Sequence, residues 1–313
     1  MKIVLLESLG IKPEVLNSYV EPLKAKGHTF ESYERDMDIE KQKERAKDAD
    51  VLMIANMPLA QEVVDACDHL KFINVAFTGV DHVPVARAKE RGIAVSNASG
   101  YSNESVAELV MAMTLNLLRK VQIVEANTRN GSTVDGNVGN ELQGKTVGVV
   151  GTGAIGRRVA ELFNCFGCNV LGYDPFPKEL PNVRNVSLEE LLQQSDIVTL
   201  HCPLMDSTRG LINAENIKLM KKTALLINCA RGPIVDAQAV ADALNNDQIA
   251  GAGMDVFEVE PPIPASNPLL NSKNTLVTPH IAFLSEESMV KRAKIVFDSL
   301  DQWMAGNQVN KIC

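Results

Sequence analysis

Apolar positions recur along the chain with two periods, one of strand type and one of helix type, and the two alternate. Strand-like runs occur at Ile3 to Leu6, Thr29 to Tyr33, Val51 to Ala55, Phe72 to Phe77 and Ile93 to Ser96, each of strand length. Helical spacing lies between them, including Glu14 to Lys26, which stops before Gly27, and Asp38 to Ala49. Strand alternating with helix predicts a parallel sheet covered by helices on both faces. The alternation resumes further on, with strands predicted at Thr146 to Val150, Asn169 to Tyr173, Ile197 to His201, Ala224 to Asn228, Ala250 to Met254 and Thr275 to Thr278. Helices are predicted between these at Leu188 to Gln194, Asn213 to Met220 and Ala237 to Asn245, giving a second doubly wound sheet of about six strands.

Two helical patterns bracket that second half. One starts near Ser102 to Ser105, with Ser105 as its candidate cap, and runs past Leu118 to Val121 or beyond. Its apolar residues wrap most of the way round, so burial between domains or subunits is expected. A glycine- and asparagine-rich surface connection, residues 128–143, follows it. The other helix, Ser285 to Met304, is amphipathic, with Met289, Ile295, Val296, Leu300 and Trp303 apolar. Packed back on the first half, it would make that domain discontinuous. The expected organisation is α/β, two doubly wound parallel-sheet domains: residues 1–98 with 286–313, and an inserted domain, 99–285.

Composition narrows the class. The chain has 313 residues, 45% of them hydrophobic and 22% charged, a length that suits two domains. The formal net charge of −8 argues against a nucleic-acid or anionic-membrane partner. The longest apolar stretch, Val106 to Leu118, is interrupted by Glu108 and Asn116 and is too short to span a bilayer. Met1-Lys2 leads straight into the first strand pattern with no leader signature, so a soluble, cytoplasmic protein is expected. Six cysteines, Cys67, Cys165, Cys168, Cys202, Cys229 and Cys313, sit mostly in apolar surroundings and read as reduced core residues. Cys165 and Cys168 form a C-x-x-C pair, but no second pair or histidine stands at metal spacing, so no metal is expected. A redox pair stays open as the alternative, although the pair closes a helix instead of opening one.

One stretch carries chemistry as well as structure. Gly144 to Asp174 reads as strand, glycine turn, helix, strand and acid, with Gly151, Gly153 and Gly156 between Val150 and the helical pattern of Val159, Leu162 and Phe163. Gly151 allows a tight turn, Gly153 lets backbone approach a pyrophosphate, and Gly156 lets the helix pack close to the sheet. Amides around Ala154 and Ile155 would then face phosphates at the positive end of the helix dipole. Asp174 ends the next strand, where a carboxylate accepts hydrogen bonds from ribose hydroxyls and repels a 2′-phosphate, favouring NAD over NADP. The neighbouring Lys178 argues the other way.

Three further segments end at predicted strand carboxyl edges: N-C-A-R-G-P-I-V-D with Arg231, G-M-D-V-F-E-V-E-P-P with Asp255, Glu258 and Glu260, and T-L-V-T-P-H-I-A-F with His280. An arginine there suits a bidentate grip on a carboxylate. His201 sits in H-C-P-L at another strand end, and a lone histidine is more often structural than catalytic. A histidine, an acid and an arginine on adjacent strand ends beside a dinucleotide site point instead to catalysis. In the first half, the turn Thr78-Gly79-Val80-Asp81 also follows a strand carboxyl end. It reads equally as an anion-holding turn or as a plain glycine turn.

With G-T-G-A-I-G and Asp174, L-H-C-P-L-M-D-S-T-R-G-L-I, I-N-C-A-R-G, D-V-F-E-V-E-P, T-P-H-I-A and S-V-A-E at Ser105 to Glu108 in this order, the chain resembles the NAD-dependent D-isomer-specific 2-hydroxyacid dehydrogenases over essentially its whole length. The resemblance implies a Rossmann NAD-binding domain inserted in a flavodoxin-like substrate domain, an active site in the interdomain cleft and a homodimer. It implies Arg231 as the substrate-carboxylate clamp, Glu260 as the acid paired with the histidine, and His280 as proton donor and acceptor. Implied cofactor contacts are Gly151, Gly153, Ala154, Ile155, Gly156, Asp174, Cys202, Pro203, Thr208, Cys229 and Ala230, with Asp255 at the nicotinamide carboxamide. Implied substrate contacts are Arg231, with Thr78, Gly79 and Val80 helping through their turn, and Tyr101 and Phe283.

The expected reaction is reduction of a 2-keto acid by NADH, with His280 protonating the carbonyl oxygen from within ~2.6–3.2 Å. A free histidine titrates at about 6.5, and an acid beside it favours the imidazolium. Tyr101 and the bulky Phe283 are similar to the D-lactate and D-hydroxyisocaproate branch, whereas D-V-F-E-V-E-P-P is similar to glycerate and hydroxypyruvate reductases. With no obvious phosphate clamp and no regulatory domain expected after Cys313, a small substrate such as pyruvate, hydroxypyruvate or a branched-chain analogue is favoured over 3-phosphoglycerate. Two rivals stay open: an NAD-sensing binding protein similar to corepressors on this fold, and an enzyme oxidising formate or phosphite.

Overall fold

The computed structural model describes residues 1–259 and 262–313. The chain divides into two compact units, Met1–Ser102 with Leu284–Cys313, and Asn103–Phe283.

The first unit is built on five parallel strands, β1 (Lys2–Leu5), β2 (Thr29–Ser32), β3 (Val51–Ile54), β4 (Phe72–Val75) and β5 (Ala94–Asn97), in the order β2-β1-β3-β4-β5. That is the flavodoxin-type order. Every residue of β3 and β4 is buried, because helices cover both faces of a parallel sheet; such strands read as near-continuous apolar runs. The helix Glu286–Met304 opens with a Ser285–Ser288 capping box and packs on this sheet. Trp303 stacks on Phe72 at 4.7 Å between centroids, and Asn74 Nδ2 donates to the Val296 carbonyl at 2.8 Å. Beyond it, the last residues cover the outer edge of β5: Ile312 N donates to Val95 O at 2.8 Å, with an antiparallel bridge between Ser96 and Lys311. This pairing blunts an edge that would otherwise template other strands. Two helices absent from the sequence prediction, Gln61–Asp65 and Val85–Glu90, each make fewer than two turns, too few for a helical period to register.

The second unit carries seven parallel strands, β6 (Thr146–Val150), β7 (Asn169–Tyr173), β8 (Val183–Asn185), β9 (Ile197–Leu200), β10 (Leu225–Asn228), β11 (Gly251–Met254) and β12 (Thr275–Val277), in the order β12-β11-β10-β9-β6-β7-β8. The strand beyond the expected six is β8, whose half-exposed Val-Arg-Asn has no apolar run to announce it. Alternate residues feed two cores: Val147, Val149, Ile197 and Ile227 on one face, Val150, Val198, Leu200 and Leu226 on the other, as the two-residue period of strands dictates.

The long helix spans Asn103–Arg119 and buries Val106, Val110, Met111, Met113 and Leu118 against the first of these cores. It starts at Asn103, within the expected Ser102 to Ser105 window, so Ser105 lies within its first turn and is not its cap. It stops earlier than expected, since Lys120 adopts a left-handed φ of 53° before a separate helix, Val121–Arg129.

All six cysteines are free, with Cys67, Cys168, Cys202 and Cys229 buried. Burial pushes the Cys67 thiol up to about 12 and Cys168 to about 11, making both poor nucleophiles. Cys165 is exposed, so the core reading holds for only one member of the C-x-x-C pair.

Candidate active site

The second unit's site is organised by the turn between β6 and the helix Ala154–Cys165. Gly151 there has φ +90°, and a Cβ on it would lie 2.5 Å from Cys202 N. A Cβ on Gly156 would overlap the carbonyl oxygen of Gly151, so the helix reaches the turn closely enough only without a side chain. Above Gly153, by contrast, the space is open. The first-turn amides of this helix have no acceptor within it, and they face a cavity of about 420 Å³ lined by Thr152, Gly153, Ala154 and Asp174. The wall also includes the cations Arg157 and Lys178, and Phe176, which is 85% exposed. Asp174 closes the cup: its carboxylate accepts from Thr152 N and from Phe176 N, each at 2.9 Å.

The strand order reverses between β6 and β9, the crevice where open α/β sheets take nucleotides. An open backbone approach, a helix N-terminus and an acid at the end of β7 are what a dinucleotide's pyrophosphate and ribose need. These residues therefore fit NAD. The Ile155 side chain packs against the core, which leaves its backbone as the part that faces the cup. Thr152, Arg157 and Phe176 were not singled out from sequence; their nearness in the chain to Gly153 and Asp174 is the signal that could have found them.

At the end of β9, Cys202 is buried with its backbone against Gly151. The Thr208 hydroxyl donates to Pro203 O at 2.6 Å and accepts from Met205 N at 2.8 Å, closing the loop that carries Pro203. His201 Nε2 lies 2.8 Å from Thr199 Oγ1, and burial lowers its pKa to about 3. This supports the structural reading of that histidine. Because the folded value lies below the unfolded one, the unfolded chain binds the extra proton, and stability falls as pH drops from about 6.5 toward 3. The expected loss between pH 7 and pH 5 is about 2 kcal/mol. Urea unfolding of His201→Gln should lose that much less over the same interval, and an unchanged difference would refute the assignment.

The remaining candidates of this unit sit on three adjacent strand ends. Beyond β10, Asn228 braces the next turn: its Nδ2 donates to Arg231 O at 2.9 Å, and its Oδ1 accepts from Ala230 N at 3.0 Å. Arg231 is extended and half-buried, with Nη1 donating to Ala230 O at 2.8 Å. The Cys229 side chain points into the core, its Sγ 3.9 Å from Met113 Sδ. Beyond β11, Asp255 is wholly buried, and burial raises its carboxyl above the usual range. Its backbone joins the neighbours on both sides, with N donating to Asn228 O at 3.0 Å and O accepting from His280 N at 2.7 Å. Beyond β12, His280 is half-buried at φ 58°, its ring edge-on to Phe283 at 5.4 Å. Glu260 lies outside the described residues.

In the first unit, Thr78, Gly79 and Val80 follow β4 and are half-buried, and Asn97 Nδ2 donates to Thr78 O at 2.6 Å. Tyr101 is only 2% exposed, with its ring 6.3 Å from Phe77 and 5.8 Å from the Arg292 guanidinium. Among the described residues no group of acids, histidines and cysteines is arranged to hold a metal.

A family model for the NAD-binding domain of D-isomer-specific 2-hydroxyacid dehydrogenases matches residues 111–282. The chain is 36% identical to the hydroxypyruvate reductase of Blautia hydrogenotrophica over 325 aligned positions, covering 100% of this chain and 99% of that protein. Among solved structures, an acyclic imino acid reductase in complex with NADPH and D-Arg superposes with a TM-score of 0.92 at 28% identity, covering all of both chains. The D-lactate dehydrogenase of Aquifex aeolicus complexed with NAD and lactic acid gives 0.85 at 30% identity, over 98% of this chain and 96% of that one.

Proposed function

This chain belongs to the D-isomer-specific 2-hydroxyacid dehydrogenases, and from that premise we propose which of its residues perform the reduction of a 2-keto acid. It is an NAD-dependent oxidoreductase acting on CH–OH donors. Arg231 grips the substrate carboxylate through its planar guanidinium and draws electron density from the adjacent ketone. Bound NADH supplies the hydride. His280 gives a proton to the carbonyl oxygen, so that hydride on carbon and proton on oxygen together make the D-2-hydroxy acid. In the reverse direction the neutral imidazole takes the hydroxyl proton. Glu260 is the acid assigned to orient the histidine, and Thr78, Gly79, Val80, Tyr101 and Phe283 are assigned to the substrate. Residues 1–98 with 286–313 are assigned to the substrate domain and 99–285 to the NAD-binding domain.

The observation that carries this reading is the run of backbone bonds from Asn228 through Asp255 to His280, which sets Arg231 and His280 on one sheet edge. Phe283, edge-on to the imidazole, makes an apolar wall that favours pyruvate, hydroxypyruvate or a branched-chain 2-keto acid. Loss of NADH absorbance across that panel is the test. Turnover of at least one member is expected; NADH binding with no oxidation by any would favour a sensing protein, and NAD reduction by formate would favour the other rival.

A homodimer in the cytoplasm completes the proposal. The helix Val121–Arg129 has no buried residue; Val121 and Ile123 stand exposed on it, and Val134 and Val138 on the segment that follows, apolar exposure that suits a second copy. Light scattering should return twice the 34.0 kDa chain mass, and a monomer would refute it. No helix among the described residues is long and apolar enough to cross a membrane.

A further inference from the structure

We propose that Asp255 is a positioning residue for His280: its buried carboxylate fixes the left-handed turn that presents the imidazole, and it acts on the reaction through that turn. The inference rests on His280 being the proton donor. Three donors converge on the Asp255 carboxylate, and all come from the five residues centred on His280. Thr278 Oγ1 and Ile281 N donate to Oδ1 at 2.6 and 2.8 Å, and Ala282 N donates to Oδ2 at 2.9 Å. The Asp255 carbonyl accepts the fourth bond, from His280 N at 2.7 Å. One buried residue therefore holds the segment on both sides of the imidazole.

The segment needs holding. His280 stands at φ 58°, a conformation that non-glycine residues enter rarely and leave when unsupported. An ionised carboxylate accepts several N–H groups at once, and such charge-assisted bonds are among the strongest a turn can have. Burial opposes that ionised form and the bonds from the turn favour it, so the carboxylate and the turn stabilise each other. Asp255 is itself anchored by its N–H on Asn228 O at 3.0 Å, and Asn228 braces Arg231 through its side chain. The proton donor and the carboxylate grip thus share one rigid support. Catalytic geometry of this kind is lost steeply, a displacement of about 1 Å costing roughly 10²-fold in rate.

The test compares Asp255→Asn, Thr278→Val and Thr278→Ser with the unmodified enzyme, using hydroxypyruvate as the probe substrate and fluorescence titration for NADH. Asparagine keeps the size but offers one acceptor oxygen and turns an N–H toward the backbone donors. Asp255→Asn should lower kcat at saturating NADH by about 10²-fold with the NADH Kd changed less than about threefold. Thr278→Val should lose about tenfold in kcat, and Thr278→Ser, which restores the hydroxyl, should recover most of it. Weakened NADH binding with unchanged kcat at saturation would make Asp255 a cofactor contact and overturn the inference. So would a Thr278→Val enzyme with undiminished kcat, a result that holds even if Asp255→Asn fails to fold. Parallel measurement of His280→Asn separates the two levels: full turnover there sinks the acid–base assignment, whereas lost turnover there with an active Asp255→Asn sinks only the positioning role.

Discussion

His280→Asn is expected to lower turnover by about 10²–10⁴-fold, the range that general acid–base catalysis contributes, while the NADH dissociation constant changes little. Asparagine is the informative replacement for a backbone reason. His280 sits at φ 58°, and asparagine is among the few side chains that tolerate the left-handed region. The turn tied to Asp255 by the Ile281 and Ala282 amides should therefore survive the substitution. The amide can still hydrogen-bond to a carbonyl oxygen, but it carries no proton to give near neutral pH. The cofactor cradle at Gly151 to Gly156 and Asp174 lies on other strand ends and is untouched. Steady-state kinetics at saturating NADH, with fluorescence titration of NADH, check the result. Equal losses in turnover and NADH affinity would remove the histidine from proton transfer and make it part of the binding surface.

What was legible in the sequence follows from where each element gets its stability. β3, β4, β9 and β10 are buried on every residue, so each is mainly apolar, and such runs are visible without a structure. β8, the two short helices of the first unit and the strand-like pairing of Ile312 with Val95 owe their form to neighbours, and tertiary contacts leave no period behind. The proposed cofactor site was readable because its chemistry is local: three glycines and Asp174 within one strand–helix–strand unit.

The proposed catalytic edge was only half legible. Arg231 and His280 could be placed on strand ends. The bonds that join those ends pass through Asn228 and Asp255, residues far apart in the chain, and no spacing announces them. Asp255 is the instructive residue. Resemblance alone assigned it to the nicotinamide; its carboxylate accepts from the Thr278 hydroxyl and the Ile281 and Ala282 amides, which resemblance did not announce. In the sequence Thr278 marks only the end of a strand.

Gly156→Ala is expected to destabilise the second unit by about 1–3 kcal/mol, the usual cost of overpacking, and to weaken NADH binding at least tenfold. Helix propensity alone predicts the opposite sign, since alanine in a helix is favoured over glycine by about 1 kcal/mol. Geometry decides the matter. The added methyl would overlap the carbonyl oxygen of Gly151, and that carbonyl has nowhere to go. Gly151 N donates to Tyr173 O at 2.8 Å, and the turn backs onto Cys202 N. The helix Ala154–Cys165 must then lift from the turn, carrying its first-turn amides away from the phosphate position. Gly153→Ala supplies the contrast. Its φ is −67° and no atom beyond its own chain neighbours lies within 4 Å of the new methyl, so stability should hold while the methyl fills the space that bound pyrophosphate needs. Thermal unfolding with and without NADH reads both quantities: Gly156→Ala should lower the midpoint and shrink the cofactor-induced rise, whereas Gly153→Ala should shrink the rise alone. If both variants keep the full rise, pyrophosphate does not sit on this helix terminus, and the cavity beside Asp174 is not the cofactor's.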